Sequence, residues 1–210
     1  SDNLERLVLA GNGDIDGTGN PADNSMAGND ANNKLVGAAG DDTIWGVSGR
    51  DTLIGSRGHD ILLGGKGNDL LEGRFGRDRL NGNSGNDTLV GGVGIDKFIF
   101  NTNKEFAREE LGEDVITDFK QVHGDKILLD RRTFSAITSD KGDGFSVGSE
   151  FETVDTDAAA ANSDAFVVYN ESNGNLFYNP NGSDNGLGRG GLFATLTDAP
   201  LLEESDFVIR

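Results

Sequence analysis

Large apolar side chains recur once every nine residues through the middle of the chain, at Leu35, Ile44, Leu53, Leu62, Leu71, Leu80, Leu89 and Phe98. Neither an α-helix, at about 3.6 residues per turn, nor an amphipathic strand, at about two, produces that period. A coil does. Eight uninterrupted nonapeptides run from Gly28 to Ile99, each opening with glycine, all but the first carrying glycine at position four, and all carrying the apolar residue at position eight. Six residues of glycine-rich turn and a three-residue strand make half a coil; two units close one round, with the position-eight side chains facing each other inside. Glycine suits the turns because positive φ is costly for a residue with a Cβ.

Position six carries the candidate chemistry. It is Asp42, Asp51, Asp60, Asp69, Asp78, Asp87 and Asp96, with Asn33 in the first unit. Alternate units share an edge, which predicts one column of Asp42, Asp60, Asp78 and Asp96 and another of Asn33, Asp51, Asp69 and Asp87. Stacked strands lie ~4.8 Å apart, so neighbouring carboxylates repel by roughly 1 kcal/mol even at the dielectric of water. A hard divalent cation between successive turns removes that repulsion. Calcium suits oxygen donors of tolerant geometry, whereas magnesium holds its waters and zinc prefers nitrogen or sulfur. Five same-edge aspartate pairs (42/60, 60/78, 78/96, 51/69 and 69/87) set an expectation of about five or more Ca2+ ions, with Asn33 and Asp51 forming a weaker pair. Backbone carbonyls of the turn glycines would complete the shells: Gly37, Gly46, Gly55, Gly64, Gly73 and Gly82 at position one, and Gly40, Gly49, Gly58, Gly67, Gly76 and Gly85 at position four. A phosphate-cradling role for these glycines fails, since no Lys-Ser/Thr follows them.

The units match the calcium-binding repeat G-G-x-G-x-D-x-U-x. The chain resembles the RTX parallel β-roll and C-terminal cap found at the end of serralysin-type secreted proteases and of many type I-secreted proteins. It departs from that pattern at position two, where glycine stands only at Gly65 and Gly92. The resemblance implies an all-β fold, a right-handed calcium-binding parallel β-roll followed by an antiparallel β cap. Residues 1–27 read as irregular N-terminal coils of the roll, 28–99 as the roll itself, and 100–210 as the cap. The run from Asp114 to Phe119 and the run from Gly124 to Asp130 resemble the family's D-x-I-x-D-F…G-x-D-K-I-x-L segment, where acidic residues hold a further calcium. That role carries over to Asp118 and Asp125. The ending Asp206-Phe207-Val208-Ile209 resembles an uncleaved type I secretion signal; by its residues alone it is a last strand. In the cap, Ala165–Tyr169 and Leu176–Tyr178 read as a hairpin, Phe193–Leu196 and Phe207–Ile209 as further antiparallel strands, and Asn179–Asp184 as a turn with a faint likeness to a calcium loop.

Charge narrows the partners. The net charge is −18, of which −12 falls on residues 100–210, and the chain has no cysteine. Nucleic acid and anionic membranes are poor partners for such a surface, while cations are natural ones. Hydrophobic content of 35% is low for an ordinary globule, so bound metal has to make up the shortfall. There is no membrane-spanning apolar run and no N-terminal signal peptide; with the resemblance, that implies an extracellular protein secreted through the type I machinery. His59 and His123 lie in no H-E-x-x-H motif, and no G-x-S-x-G is present, so the expectation is a non-enzymatic module. Trp45 at position nine and Phe75 at position three are predicted to point outward, and they motivate a second reading as a polysaccharide- or cell-surface-binding module. A third is the C-terminal tail of a larger secreted enzyme.

Overall fold

The computed structural model describes residues 5–182, 184 and 186–210. Two sheets face each other, one of nine strands and one of ten, and the chain crosses between them once per nonapeptide. The first sheet stacks Arg6–Val8, Ser25–Ala27, Thr43–Ser48, Ile61–Lys66, Arg79–Ser84 and Lys97–Phe100 in parallel. The second stacks Gly17–Thr18, Lys34–Ala39, Thr52–Gly58, Leu70–Gly76 and Thr88–Gly94, also in parallel. Ile44 lies opposite Leu62, and Leu53 opposite Leu71, a register of two nonapeptides per round. The fold is an all-β parallel solenoid with antiparallel strands at its C-terminal end.

The strands are longer than the three residues expected: most run six or seven, continuing past the position-one glycine to position three or four of the next unit. Pairing skips that glycine. Trp45 pairs with Leu63, and Val47 with Gly65, in one register, while Gly46 and Gly64 between them are left unpaired. Each strand therefore bends at position one and resumes, so much of what sequence marks as turn still hydrogen-bonds to its neighbours.

Position-eight side chains form the core, all of them fully buried from Leu35 to Phe98. The column does not stop where the repeat does. Asp114–Ile116 and then Gly191–Leu196 add in parallel to the second sheet, placing Ile116 and Leu196 in line with Leu89. Lys126–Leu129 and Phe207–Ile209 add in parallel to the first, placing Ile127 and Phe207 in line with Phe98. The expectation that Phe193–Leu196 and Phe207–Ile209 are antiparallel cap strands holds on one edge of each: Phe207–Ile209 is antiparallel to Gly142–Asp143 but parallel to Lys126–Leu129, and Gly191–Leu196 is antiparallel to Asn175–Tyr178 but parallel to Asp114–Ile116. Phe207 and Ile209 are buried at the same alternation as Ile127 and Leu129, so the strand joins the sheet that continues that apolar column.

Among the described residues the antiparallel pairs are Gly142–Asp143 against Phe207–Ile209, Val167–Asn170 against Asn175–Tyr178, and Asn175–Tyr178 against Gly191–Leu196; the last two lie together. Rings of Phe106, Phe134, Tyr178 and Phe193 pack there in edge-to-face and tilted contacts with centroids 5.0 to 6.5 Å apart. This aromatic cluster covers the end of the narrow aliphatic core. Asn179–Gly182 form a turn as expected, whereas Ser183 lies outside the described residues.

Position two is where local strain collects. Ala38, Val47, Ser56, Arg74 and Asn83 all adopt positive φ, between 70° and 96°. Such residues cost of order 1–3 kcal/mol each, most for a β-branched side chain such as Val47. Position four shows the opposite economy: at Gly67, φ is 127° and a Cβ would fall closer than 3.0 Å to the Gly49 carbonyl oxygen. Val47→Gly should raise the urea midpoint of the calcium-loaded protein by about 1 kcal/mol of stability, and Gly67→Ala should lower it by more than that. Equal midpoints for Val47→Gly and wild type would show that the position-two strain is not real.

Candidate metal centre

The turns bring the position-six side chains into the two predicted columns and then fix each carboxylate in one orientation. Within a column, the backbone N–H of each residue donates to Oδ1 of the aspartate one coil further on. Asn24 donates to Asp42, Asp42 to Asp60, Asp60 to Asp78 and Asp78 to Asp96, at 2.7 to 2.9 Å. In the other column Asn33 donates to Asp51, Asp51 to Asp69 and Asp69 to Asp87, at 2.7 to 2.8 Å. All seven aspartates are buried. In all seven, Oδ2 is buried with no hydrogen-bond partner.

The orphaned oxygens do not face empty protein. At each of Gly37, Gly46, Gly55, Gly64, Gly73, Gly82 and Gly91, a Cβ would fall closer than 3.0 Å to Oδ2 of the same unit's aspartate. The same space is bordered by the position-one carbonyl oxygen of the next coil: Gly55 beside Asp42, Gly64 beside Asp51, Gly82 beside Asp69 and Gly91 beside Asp78. Glycine at position one thus leaves room for a carboxylate oxygen and a carbonyl oxygen to approach together. The position-four carbonyls border a second close approach, where a Cβ on the position-four glycine of the following coil would meet them, as at Gly58 with the Gly40 carbonyl.

Among the described residues no group of three or more His, Cys, Asp or Glu side chains is placed to hold a metal. A cation here must draw on carboxylate oxygens and backbone carbonyls together. That donor set, all oxygen and carrying paired negative charge, fits calcium and does not fit zinc.

Both columns continue past the repeats, and there the sequence reading missed a residue. Asp87 donates through its N–H to Asp114 Oδ1 at 2.9 Å, and Asp96 likewise to Asp125 at 2.9 Å. Asp114 occupies the ladder position, 27 residues on rather than 18. The longer link between Asp96 and Asp125 hides the register in the same way. A parallel apolar column, Leu89 then Ile116, is the signal that could have found Asp114. Asp118 lies outside the ladder: its two oxygens accept from the N–H groups of Gly91 and Gly92 at 2.9 and 2.7 Å. Asp125 also has both oxygens engaged, the second by the N–H of Lys120 at 2.8 Å.

The amide at Asn33 begins its column differently. Its oxygen accepts from the Asn29 N–H at 2.8 Å, and its Nδ2 donates to the Ile15 carbonyl at 3.0 Å. The carboxamide thus makes toward the preceding coil a bond that a carboxylate could not donate. An outer ladder was also missed: at position five, Asp23, Asp41 and His59 accept in turn from the N–H of Asp41, His59 and Arg77 at 2.7 to 2.9 Å. His59 is therefore a link in the turn stack. His123 closes a short 3-10 turn, Gln121–His123.

Residues 18–53, 45–80 and 63–98 match the model of the RTX calcium-binding nonapeptide repeat. These are RTX calcium-binding repeats. The matched RTX stretch covers less than half of the chain, and such repeats are typical of type I-secreted extracellular proteins. No curated protein sequence matches the chain. Among solved structures, the solution structure of the AlgE6R3 subunit from the Azotobacter vinelandii mannuronan C5-epimerase aligns at 20% identity over 95% of this chain and 81% of that one, with a TM-score of 0.33.

Burial makes the RTX aspartates hard to ionise. It pushes Asp69 and Asp78 up to about 7, and Asp42, Asp60, Asp87 and Asp96 up to about 6, while the N–H bond to each carboxylate pulls part of the way back. Neighbouring carboxylates of the same column add to the rise at Asp42, Asp69 and Asp78. Asp51 and Asp114 are raised as well, mainly by burial. A carboxyl whose folded pKa exceeds its unfolded value binds more protons when folded, so its contribution is fully present below about pH 4 and is lost as pH rises through about 6 to 7. In chelator, the chain should therefore gain β structure by circular dichroism as pH falls from about 7.5 to about 5, and its apparent calcium affinity should weaken over the same window as protons compete. A metal-free spectrum that is flat across that range would contradict the burial of these groups.

Proposed function

We propose that this chain is a calcium-driven folding module of an extracellular protein, exported through a type I channel while unfolded and non-catalytic in itself. One observation carries the reading: seven buried carboxylates, each with one oxygen fixed by the backbone and the other unpartnered. Leaving a buried polar group unsatisfied costs about 1–3 kcal/mol, more when it is charged. Seven such groups would consume most of the about 5–15 kcal/mol that keeps a domain folded. The empty roll is then marginal or unfolded.

When bound, calcium supplies positive charge and accepts oxygen donors at the orphaned positions. Asp42, Asp51, Asp60, Asp69, Asp78, Asp87 and Asp96 would hold it with Oδ2, helped by the position-one carbonyl of the next coil. The next aspartate in each column completes seven successive pairs, the last being Asp87 with Asp114 and Asp96 with Asp125. A stoichiometry of about seven follows, with the Asn33 and Asp51 pair weaker because a neutral amide replaces a carboxylate. Binding energy becomes folding energy, and dissociation constants of about 10⁻⁴ to 10⁻³ M, usual for extracellular modules, would keep the chain unfolded where calcium is scarce.

The C-terminal strand supports export before folding. Phe207 and Ile209 are buried in the first sheet, so a receptor that reads this ending as a signal must meet the chain unfolded.

Calcium titration followed by circular dichroism should show one cooperative transition from coil to β structure, reversed by EDTA. A spectrum unchanged by the chelator would remove the folding switch. Asp69→Ala, which serves the 51/69 and 69/87 pairs, should raise the calcium midpoint by about tenfold or more, the equivalent of at least one lost charge-assisted bond. Asp114→Ala should also raise it, and by more than Asp118→Ala. The reverse order would show that the column of Asp51, Asp69 and Asp87 ends at Asp87.

A further inference from the structure

The outer face of the first sheet departs from the charge of the rest of the molecule. Positions seven and nine of its strands, from Arg6–Val8 across to Lys126–Leu129, point away from the core and include no aspartate or glutamate, in a chain with 36 acids and 18 bases. Three cations stand in register on neighbouring strands: Arg79 opposite Lys97, and Lys97 opposite Lys126. Like charges placed directly opposite on a sheet destabilise it, so nothing in the fold itself calls for this row.

Two of the three are uncommitted. Lys126 donates to the Ser205 carbonyl at 2.7 Å, but neither Arg79 nor Lys97 is among the ion pairs of the described residues. They line a cleft of about 290 Å³ with Arg77, Ile95 and the ladder carboxylate Asp78, whose charge a calcium ion would neutralise in the folded state. Burial first, and then the nearby Arg79 and Arg132 cations, disfavour the charge of Arg210, which places Arg210 close to this row. On the same outer face, two strands before Arg79, Trp45 is 48% exposed. It borders a second groove with Val8, Val47 and Leu63.

We propose that this face binds an anionic polysaccharide laid across the strands, with Arg79 and Lys97 meeting its carboxylate or sulfate groups and Trp45 giving one sugar ring an apolar platform. Cations repeating at about 4.8 Å from strand to strand suit a polymer that bears an anion on successive units better than a single small ion. Bulk electrostatics favours a sugar chain over a nucleic acid: the net charge of −18 repels a dense polyphosphate, while a sparser polyanion can be met locally by the row and the ring. The face exists only in the folded roll, so the inference rests on the calcium-folded state proposed above.

The test is native affinity electrophoresis at saturating buffered calcium, with carboxymethyl cellulose or neutral hydroxyethyl cellulose in the gel and circular dichroism reporting the fold of each variant. The wild-type chain should be retarded by the charged polymer alone. Arg79→Gln with Lys97→Gln should weaken that retardation by about tenfold, and Trp45→Ala should weaken it by less. Ile61→Lys, which extends the cation row at an exposed position opposite Arg79, should strengthen it. Four results would each overturn the proposal: no retardation of a folded wild-type chain, equal retardation by both polymers, no strengthening in a folded Ile61→Lys variant, or tighter binding to oligodeoxythymidine than to carboxymethyl cellulose. Failure of the wild-type chain to fold in calcium would instead strike at the folding module.

Discussion

Everything in this molecule follows from what happens to the two oxygens of one aspartate. The backbone N–H of the preceding coil takes Oδ1, which fixes the carboxylate inside the turn and ties coil to coil. Oδ2 is then held against the position-one glycine with no donor in reach. One bond builds the stack, and the missing bond makes the stack conditional. A buried anion without a partner is among the more expensive features a fold can contain, and here it is repeated in every coil of the roll.

The rest of the architecture accommodates that repetition. The core is only two side chains wide per round, one from each sheet, so apolar burial per residue is small and cannot by itself offset seven unsatisfied groups. Position-two residues with side chains at positive φ add strain that a pure glycine repeat would avoid. Each column has one end that uses its polar atoms within the protein: one begins at Asn33, which donates to Ile15, and the other finishes at Asp125, which accepts from Lys120. Beyond them the sheets run on into strands that carry no nonapeptide signature, and an aromatic cluster takes over from the aliphatic column.

The exterior follows a different logic. Turn position six concentrates the acids at the sites, whereas positions seven and nine on the outer face of the first sheet are free of them. A protein can be strongly acidic overall and still present a locally basic, partly aromatic surface, because the two populations occupy different positions of the same nine-residue unit. Binding at that surface would be coupled to the calcium sites through folding, and through Asp78, a ladder carboxylate that also lines the Arg79 and Lys97 cleft.

Much of this was legible from residue spacing. The nine-residue period gave the coil, position eight gave the core, and position six gave the two columns, because a strict repeat leaves one register in which every glycine, aspartate and leucine is equivalent. Where the period broke, the reading lost its ruler. Asp114 was missed because 27 residues rather than 18 separate it from Asp87, and Phe207–Ile209 was read as a cap strand because nothing local shows that Ile127 is its neighbour. Tertiary structure alone decided which oxygen of each carboxylate is satisfied, that Asp118 turns away from the ladder to bind Gly91 and Gly92, and that Lys126 stands opposite Lys97. The physical reason is the same each time: periodicity states which residues are equivalent, but hydrogen-bond direction and the pairing of distant strands depend on atoms brought together only when the coils stack.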